Sequence, residues 1–163
     1  MSCSFEDECT VAIEEANEAV KIAMEVYATD FAVDYKDAKE PVTIADKRIN
    51  DLLCRRISKA FPQDAIVAEE SGPKSGTDLG ILTARNRVWF IDPIDGTKEF
   101  ISRNGEFAVM IGLAIDGTAQ LGIIATPVDS KVWVGVVGQG AYVIDGQSKR
   151  DIRVSNVNSL AES

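Results

Sequence analysis

The period of the hydrophobic residues changes once along this chain, near residue 61, and that change narrows the folds open to it. Before it, apolar residues fall at Phe5, Cys9, Ala12, Ile13, Ala16, Val20, Ala23, Met24 and Tyr27. This is the spacing of one buried helical stripe, with Glu14, Glu15, Glu18, Lys21 and Glu25 mostly off it. A loop carrying Lys36, Asp37, Lys39 and Pro41 follows. A second helix is predicted from Ile44 to Ala60, with Ile49, Leu52, Leu53 and Ile57 facing inward and Phe61-Pro62 ending it. Thr43 and Asp46 have the spacing of a capping box at its start. Beyond this point the apolar runs are short. They cover Ala65 to Ala68, Val88 to Ile91, Phe107 to Ile115, Ala119 to Ala125, Lys131 to Val137, Ala141 to Ile144, and Ile152 to Val154. Turn signals at Asp116-Gly117, Pro127 to Ser130, Gly138 to Gly140 and Asp145-Gly146 make the later runs an antiparallel meander. The expected fold class is α+β, a layered sandwich with two N-terminal helices on one face of a mostly antiparallel sheet. The other face of that sheet needs cover, and the sequence supplies little for it.

Composition then removes functions. A net charge of −9 repels nucleic acid and bare anionic substrates, so a phosphate substrate would need a cation brought to the site. The chain has no histidine, which excludes a Ser-His-Asp triad, a Cys-His pair, a phosphohistidine and histidine-ligated zinc. Three cysteines, Cys3, Cys9 and Cys54, form no Cys-x-x-Cys pair and read as reduced thiols. No run approaches the roughly 20 apolar residues of a membrane span. The acidic N-terminus has no signal-peptide pattern, and a cytoplasmic location is expected.

Chemistry must therefore run on carboxylates, hydroxyls, lysines or a metal with oxygen ligands. Two apolar strands end in carboxylates: Ala65 to Ala68 runs into Glu69-Glu70, and Val88 to Ile91 into Asp92, with Asp95 three residues later in Asp92-Pro93-Ile94-Asp95-Gly96-Thr97. Carboxylates at buried strand ends are costly unless neutralised, and a hard cation with oxygen ligands does this. Pro93 stiffens the turn and lets the Ile94 carbonyl face a metal, Gly96 removes bulk where a phosphate could approach, and Thr97 adds a hydroxyl. A short helical turn near Lys98-Glu99-Phe100 would present free N–H groups to an anion. Asp116-Gly117 and Asp145-Gly146 have no carboxylate three residues upstream and read as plain turns. Asp46 suffices as a helix cap and is also a candidate for the site; Lys36 is either a solvated loop charge or a site residue. The aspartate spacing excludes the haloacid-dehalogenase arrangement, because Pro93 stands where its nucleophile would. Neither a Cys-x5-Arg loop nor a Gly-x4-Gly-Lys-Ser/Thr loop is present.

Glu69-Glu70-Ser71, Trp89 to Thr97, and Val42 to Asp46 resemble the lithium-sensitive, magnesium-dependent phosphatases that include inositol monophosphatase. Lys98-Glu99-Phe100-Ile101 is similar to their 3′(2′),5′-bisphosphate nucleotidase branch. The resemblance implies two or three Mg2+ ions: Glu69, Asp92 and the Ile94 carbonyl on one, Asp92 and Asp95 on a second, and Glu70 on a further ion or its waters. It implies that Thr97, held by Asp46, orients and helps to deprotonate the attacking water. The substrate would lie against Glu69, Ile94, Asp95, Gly96 and Thr97.

The family's later Trp-Asp motif has no counterpart, since Trp89 and Trp133 precede Phe90 and Val134. Residues 1–163 are therefore expected to be an N-terminal, metal-binding catalytic domain without its C-terminal partner, weakly active or inactive alone. The expected reaction is removal of the 3′-phosphate of adenosine 3′,5′-bisphosphate, in sulfur assimilation. Inositol monophosphatase or a sugar phosphatase is the alternative, and a non-catalytic metal-binding or dimerising domain is the alternative of another class. The expected partner is a small phosphorylated molecule and, through an exposed sheet edge, a second copy of the chain; no nucleic-acid polymer or membrane is expected.

Overall fold

The computed structural model of the chain describes residues 5–35, 41–71, 86–157 and 159. Lys36, Asp37, Lys39 and the glycine-containing stretch after Ser71 lie outside the described residues, as does Cys3. The elements run α1 (Glu6–Tyr27), β1 (Val33–Tyr35), β2 (Pro41–Thr43), α2 (Ile44–Ala60), β3 (Ala65–Ala68), β4 (Arg87–Asp95), α3 (Thr97–Ser102), β5 (Ala108–Ile115), β6 (Thr118–Thr126), β7 (Lys131–Val136), β8 (Gly140–Asp145) and β9 (Ser148–Ile152). β3 to β9 form one seven-stranded sheet in sequence order; β1 and β2 pair separately. Every ladder of the large sheet is antiparallel except β3–β4, which is parallel.

Both long helices lie on one face of that sheet, α1 over β5 and β6 and α2 over β3 and β4. Alanines at 12, 16, 19 and 23 of α1 are fully buried, and their small side chains let the helix approach its neighbours closely. α2 contributes Ile49, Leu53 and Ile57, all fully buried, to the core it shares with Trp89 and Ile91 of β4, while Ile111, Leu113 and Ile123 of β5 and β6 extend the same core under α1. Truncating one such Leu or Ile to Ala costs about 2–5 kcal/mol. The start of β4 is tied to α1 by polar contacts. Arg87 Nε donates to both oxygens of Asp64 at 3.0 and 3.1 Å, and its Nη2 donates to Glu8 at 2.7 Å. The indole N–H of the buried Trp89 donates to the same Asp64 at 2.9 Å, and its ring stacks on Phe61.

The opposite face of the sheet is apolar and open. Phe90, Gly112, Gly122, Gly135, Ala141 and Ile152 stand in register across six strands. Beside them runs a taller row, Asp92, Met110, Ile124, Trp133 and Val143. The small residues make a furrow of about 710 Å³, and Glu69 and Asp92 line it at the β3–β4 edge.

Two expectations need correction. The segment before α2 holds the short β1–β2 ladder as well as a loop, because three-residue strands leave no readable period. The last strand is Ser148–Ile152, not Ile152 to Val154: the turn after Asp145 pairs it with Ser148, and Val154 is exposed. The sheet is mostly antiparallel, as expected, and the runs from β5 on form a meander, with β3 joining β4 in parallel.

Candidate functional site

β3 and β4 run side by side, so the residues that follow them emerge at the same edge of the sheet. The Glu69 N–H donates to the Ile91 carbonyl at 3.0 Å, which extends the parallel ladder and holds Glu69 next to Asp92. Asp92 pairs with Met110 and Asp95 with Ala108, so three steps along β4 oppose two along β5. The extra residue is a bulge at Pro93-Ile94, a place suited to proline because the ladder needs no N–H there. The Ile94 side chain is buried while its carbonyl accepts from Thr97 Oγ1 at 3.1 Å.

Gly96 turns the chain into α3 with φ of 86°, in the left-handed region. A Cβ at this position would lie 2.9 Å from the Glu106 carbonyl oxygen, so both the dihedral and the space require glycine. Phe100, fully buried among Tyr27, Phe31 and Phe107, anchors α3 from below. Arg103 closes that anchor by donating to the Tyr27 and Thr29 carbonyls at the end of α1.

From the helix side comes Asp46. Its Oδ2 accepts the Thr43 N–H at 2.7 Å and the Thr43 hydroxyl at 2.6 Å, and Thr43 Oγ1 accepts from the Ala45 N–H. The capping box is therefore real, and it uses only one of the two carboxylate oxygens. The other, Oδ1, lies 3.3 Å from Thr97 Oγ1. Thr97 has one hydroxyl proton and two acceptors within reach, Asp46 and the Ile94 carbonyl. Burial raises the Asp46 pKa, opposed by its hydrogen bonds from Thr43, its own backbone and Thr97.

Asp92 is the most perturbed of the described acids. Its pKa is pushed up to about 7, first by burial, then by repulsion from Glu69, a hydrogen bond shared with Glu69, and the negative charges of Asp95 and Asp46. Its Oδ1 is buried with no hydrogen-bond partner. Such a group is stable either with a proton shared between two carboxyls or with a cation beside it. Asp92 and the acids that act on it, Glu69, Asp95 and Asp46, offer only oxygen donors, which suit magnesium or calcium rather than zinc or copper. Among the described residues, no three acidic or thiol side chains already close on one point as a ligand set. Glu69 and Asp92 are in contact, Asp95 is exposed and acts on Asp92 through space, and Glu70 is half-buried on the adjoining turn.

One residue beside the site was not singled out from the sequence. Asn50, 4% exposed, donates from Nδ2 to Ser71 Oγ at 3.1 Å, and Cys54 Sγ lies 3.9 Å from the same hydroxyl. The available signal was a polar residue one helical turn after Asp46 on the buried stripe of α2. Cys9 and Cys54 are free, half-buried thiols, each with its pKa raised chiefly by burial.

A helix-backed sheet with its carboxylates gathered at the ends of β3 and β4 defines a class, and the chain belongs to the inositol monophosphatase family, whose sequence profile matches residues 6–163. Among curated relatives, it is 34% identical to "Nus factor SuhB" of Salmonella typhimurium strain LT2 over 149 residues, 88% of this chain and 54% of that protein. It is 32% identical to "Histidinol-phosphatase" of Mycobacterium tuberculosis strain H37Rv over 134 residues, 82% of this chain and 49% of the other. The crystal structure of CysQ from Bacteroides thetaiotaomicron, described as a bacterial member of this family, superposes with a TM-score of 0.71 at 31% identity, covering 87% of this chain and 50% of that one. The chain thus spans about half the length of the curated relatives it matches.

Proposed function

We propose that residues 1–163 form the metal-binding catalytic domain of a phosphatase that hydrolyses a small phosphate monoester with water as the nucleophile. The observation that carries this reading is Asp92: a buried, unpartnered carboxylate oxygen crowded by Glu69, Asp95 and Asp46. Glu69, Asp92, Asp95 and the Ile94 carbonyl would hold Mg2+, with Glu70 on a further ion or its waters. The cation supplies charge neutralisation and Lewis acidity at the phosphoryl oxygens.

The remaining work falls to the chain's own groups. Thr97 Oγ1, placed between Asp46 and the Ile94 carbonyl, accepts a hydrogen bond from the attacking water while passing its own proton toward Asp46 Oδ1. Asp46 suits this role because burial raises its proton affinity and Thr43 occupies its other oxygen. The phosphate would lie against the backbone at Gly96 and Thr97; the missing Cβ at residue 96 makes room for the Glu106 carbonyl, which lets the chain turn into α3 there. The site's negative charge discourages nucleic-acid polymers, so the partner is a small phosphorylated molecule.

The finer reading is 3′-phosphate removal from adenosine 3′,5′-bisphosphate, supported by Lys98-Glu99-Phe100-Ile101. The second reading, inositol monophosphatase or a related sugar phosphatase, is supported by membership in the inositol monophosphatase family. Calorimetric titration of the 163-residue chain with Mg2+ is the direct test. Binding that disappears in Asp92→Asn supports the proposal; a chain that binds no divalent ion contradicts it and leaves a non-catalytic domain. Phosphate release from adenosine 3′,5′-bisphosphate, inositol 1-phosphate, histidinol phosphate and fructose 1,6-bisphosphate, with and without lithium, then separates the substrate readings.

A further inference from the structure

We propose that Asn50 and Ser71 form a positioning pair that sets the distance between the Glu69–Glu70 carboxylates and the Asp46–Thr97 pair. The inference rests on the metal-site reading above.

Asp46 and Asn50 are four residues apart on α2 and so lie one above the other on the same face. Both are buried in the helix stripe, at 0% and 4% exposure. Asp46 reaches forward to Thr97, while Asn50 donates to Ser71 Oγ. Ser71 closes the turn after β3, its N–H donating to the Ala68 carbonyl at 3.2 Å. Glu69 and Glu70 are the two residues inside that turn. Glu69 is held on the sheet side by its N–H to Ile91. Asn50 holds the turn from the helix side. One rigid helical turn therefore spans the two halves of the site, which come from chain segments far apart in sequence.

A polar side chain in this position is costly without a purpose. The Asn50 Oδ1 is buried without a hydrogen-bond partner, so an apolar residue would serve the core of α2 better. Its side-chain amide donates to the Ser71 hydroxyl, on the turn that carries the acids.

The test is Mn2+ or Mg2+ titration of the 163-residue chain by calorimetry, alongside urea unfolding in EDTA. Ser71 is exposed, so Ser71→Ala keeps the fold. It is expected to weaken metal binding about tenfold, the lower end of the usual effect of removing a partner that orients ligands. Ser71→Thr, which keeps the hydroxyl, restores affinity. Asn50→Ala weakens binding by a similar factor, and the double variant is no weaker than either single one. A merely structural pair would move the urea midpoint and leave the metal affinity unchanged, which overturns the proposal. Additive losses in the double variant overturn it as well. A wild-type chain that binds neither ion removes the metal-site reading and this inference together; unchanged affinity in the variants of a metal-binding wild type removes only the inference.

Discussion

Asp92 has a carboxyl held at about 7 by burial and by three neighbouring acids, and this makes the stability of the metal-free chain depend on pH in an unusual direction. The folded-state pKa lies above the ordinary aspartate value of 3.8, so between about pH 4 and 7 the folded chain keeps a proton that the unfolded chain has lost. The unfolded state then binds fewer protons, and stability falls as pH rises through that window. Because the group is partly solvated, the effect is discounted to about 1–2 kcal/mol. Unfolding free energies from urea titration in EDTA should decline from pH 4.5 to pH 7.5 by this amount, and Asp92→Asn should flatten the curve. Saturating Mg2+ should also remove the decline, since the cation replaces the proton, and Mg2+ affinity should rise over the same window. A midpoint that rises through that range in EDTA would contradict the crowding of the site. The ligand candidates were legible from sequence because carboxylates at the ends of apolar strands demand an explanation. Asn50 and its bond to Ser71 were not, because that contact spans 21 residues and nothing local announces it.

At the scale of elements, the bulge, Gly96 and α3 act as one device that delivers Thr97. Gly96→Ala meets a backbone oxygen at 2.9 Å in a conformation alanine rarely adopts. We expect a loss of about 1–3 kcal/mol in urea unfolding and a displaced Thr97. By contrast, Gly117→Ala at the β5–β6 turn has the same left-handed strain but open space around it, so it should cost less and leave metal binding intact. Equal effects on metal binding would deny Gly96 its special place. The two Asp-Gly pairs read as plain turns are indeed turns between paired strands. α1 and α2 were also readable almost to the residue, because a long amphipathic period survives in the sequence and Thr43 marks a start. β9 was misplaced because Ser148 to Asp151 is all polar and exposed, leaving no alternation to read. Its charges also discourage edge pairing at that end of the sheet. The parallel sense of β3 was unreadable because an apolar run of four residues carries no direction of pairing.

Over the whole molecule, the two faces of the sheet are unequal, and the two tryptophans report on them separately. Trp89 is fully buried under the helices, while Trp133 lies half-exposed on the furrowed face with Met110, Ile124 and Val143. Phe90 and Ile124 are 44% and 38% exposed on that same face, a large apolar area to leave against water. An apolar dye such as anilinonaphthalene sulfonate should therefore bind the native 163-residue chain and accept energy from Trp133. Phe90→Thr with Ile124→Thr should reduce dye binding severalfold while moving the urea midpoint by less than about 1 kcal/mol, because surface changes away from the core rarely cost more. Trp133→Phe should reduce the energy transfer but keep the binding, the remainder coming from Trp89. If a second copy of the chain covers this face, dye binding falls as protein concentration rises, and the double threonine variant removes that dependence. Dye binding that appears only on partial unfolding would place the apolar surface in the core beneath α1 and α2 instead. The furrow ends at Glu69 and Asp92, so whatever fills it borders the carboxylates. Changes at Phe90 should for that reason be felt in metal affinity before they are felt in stability.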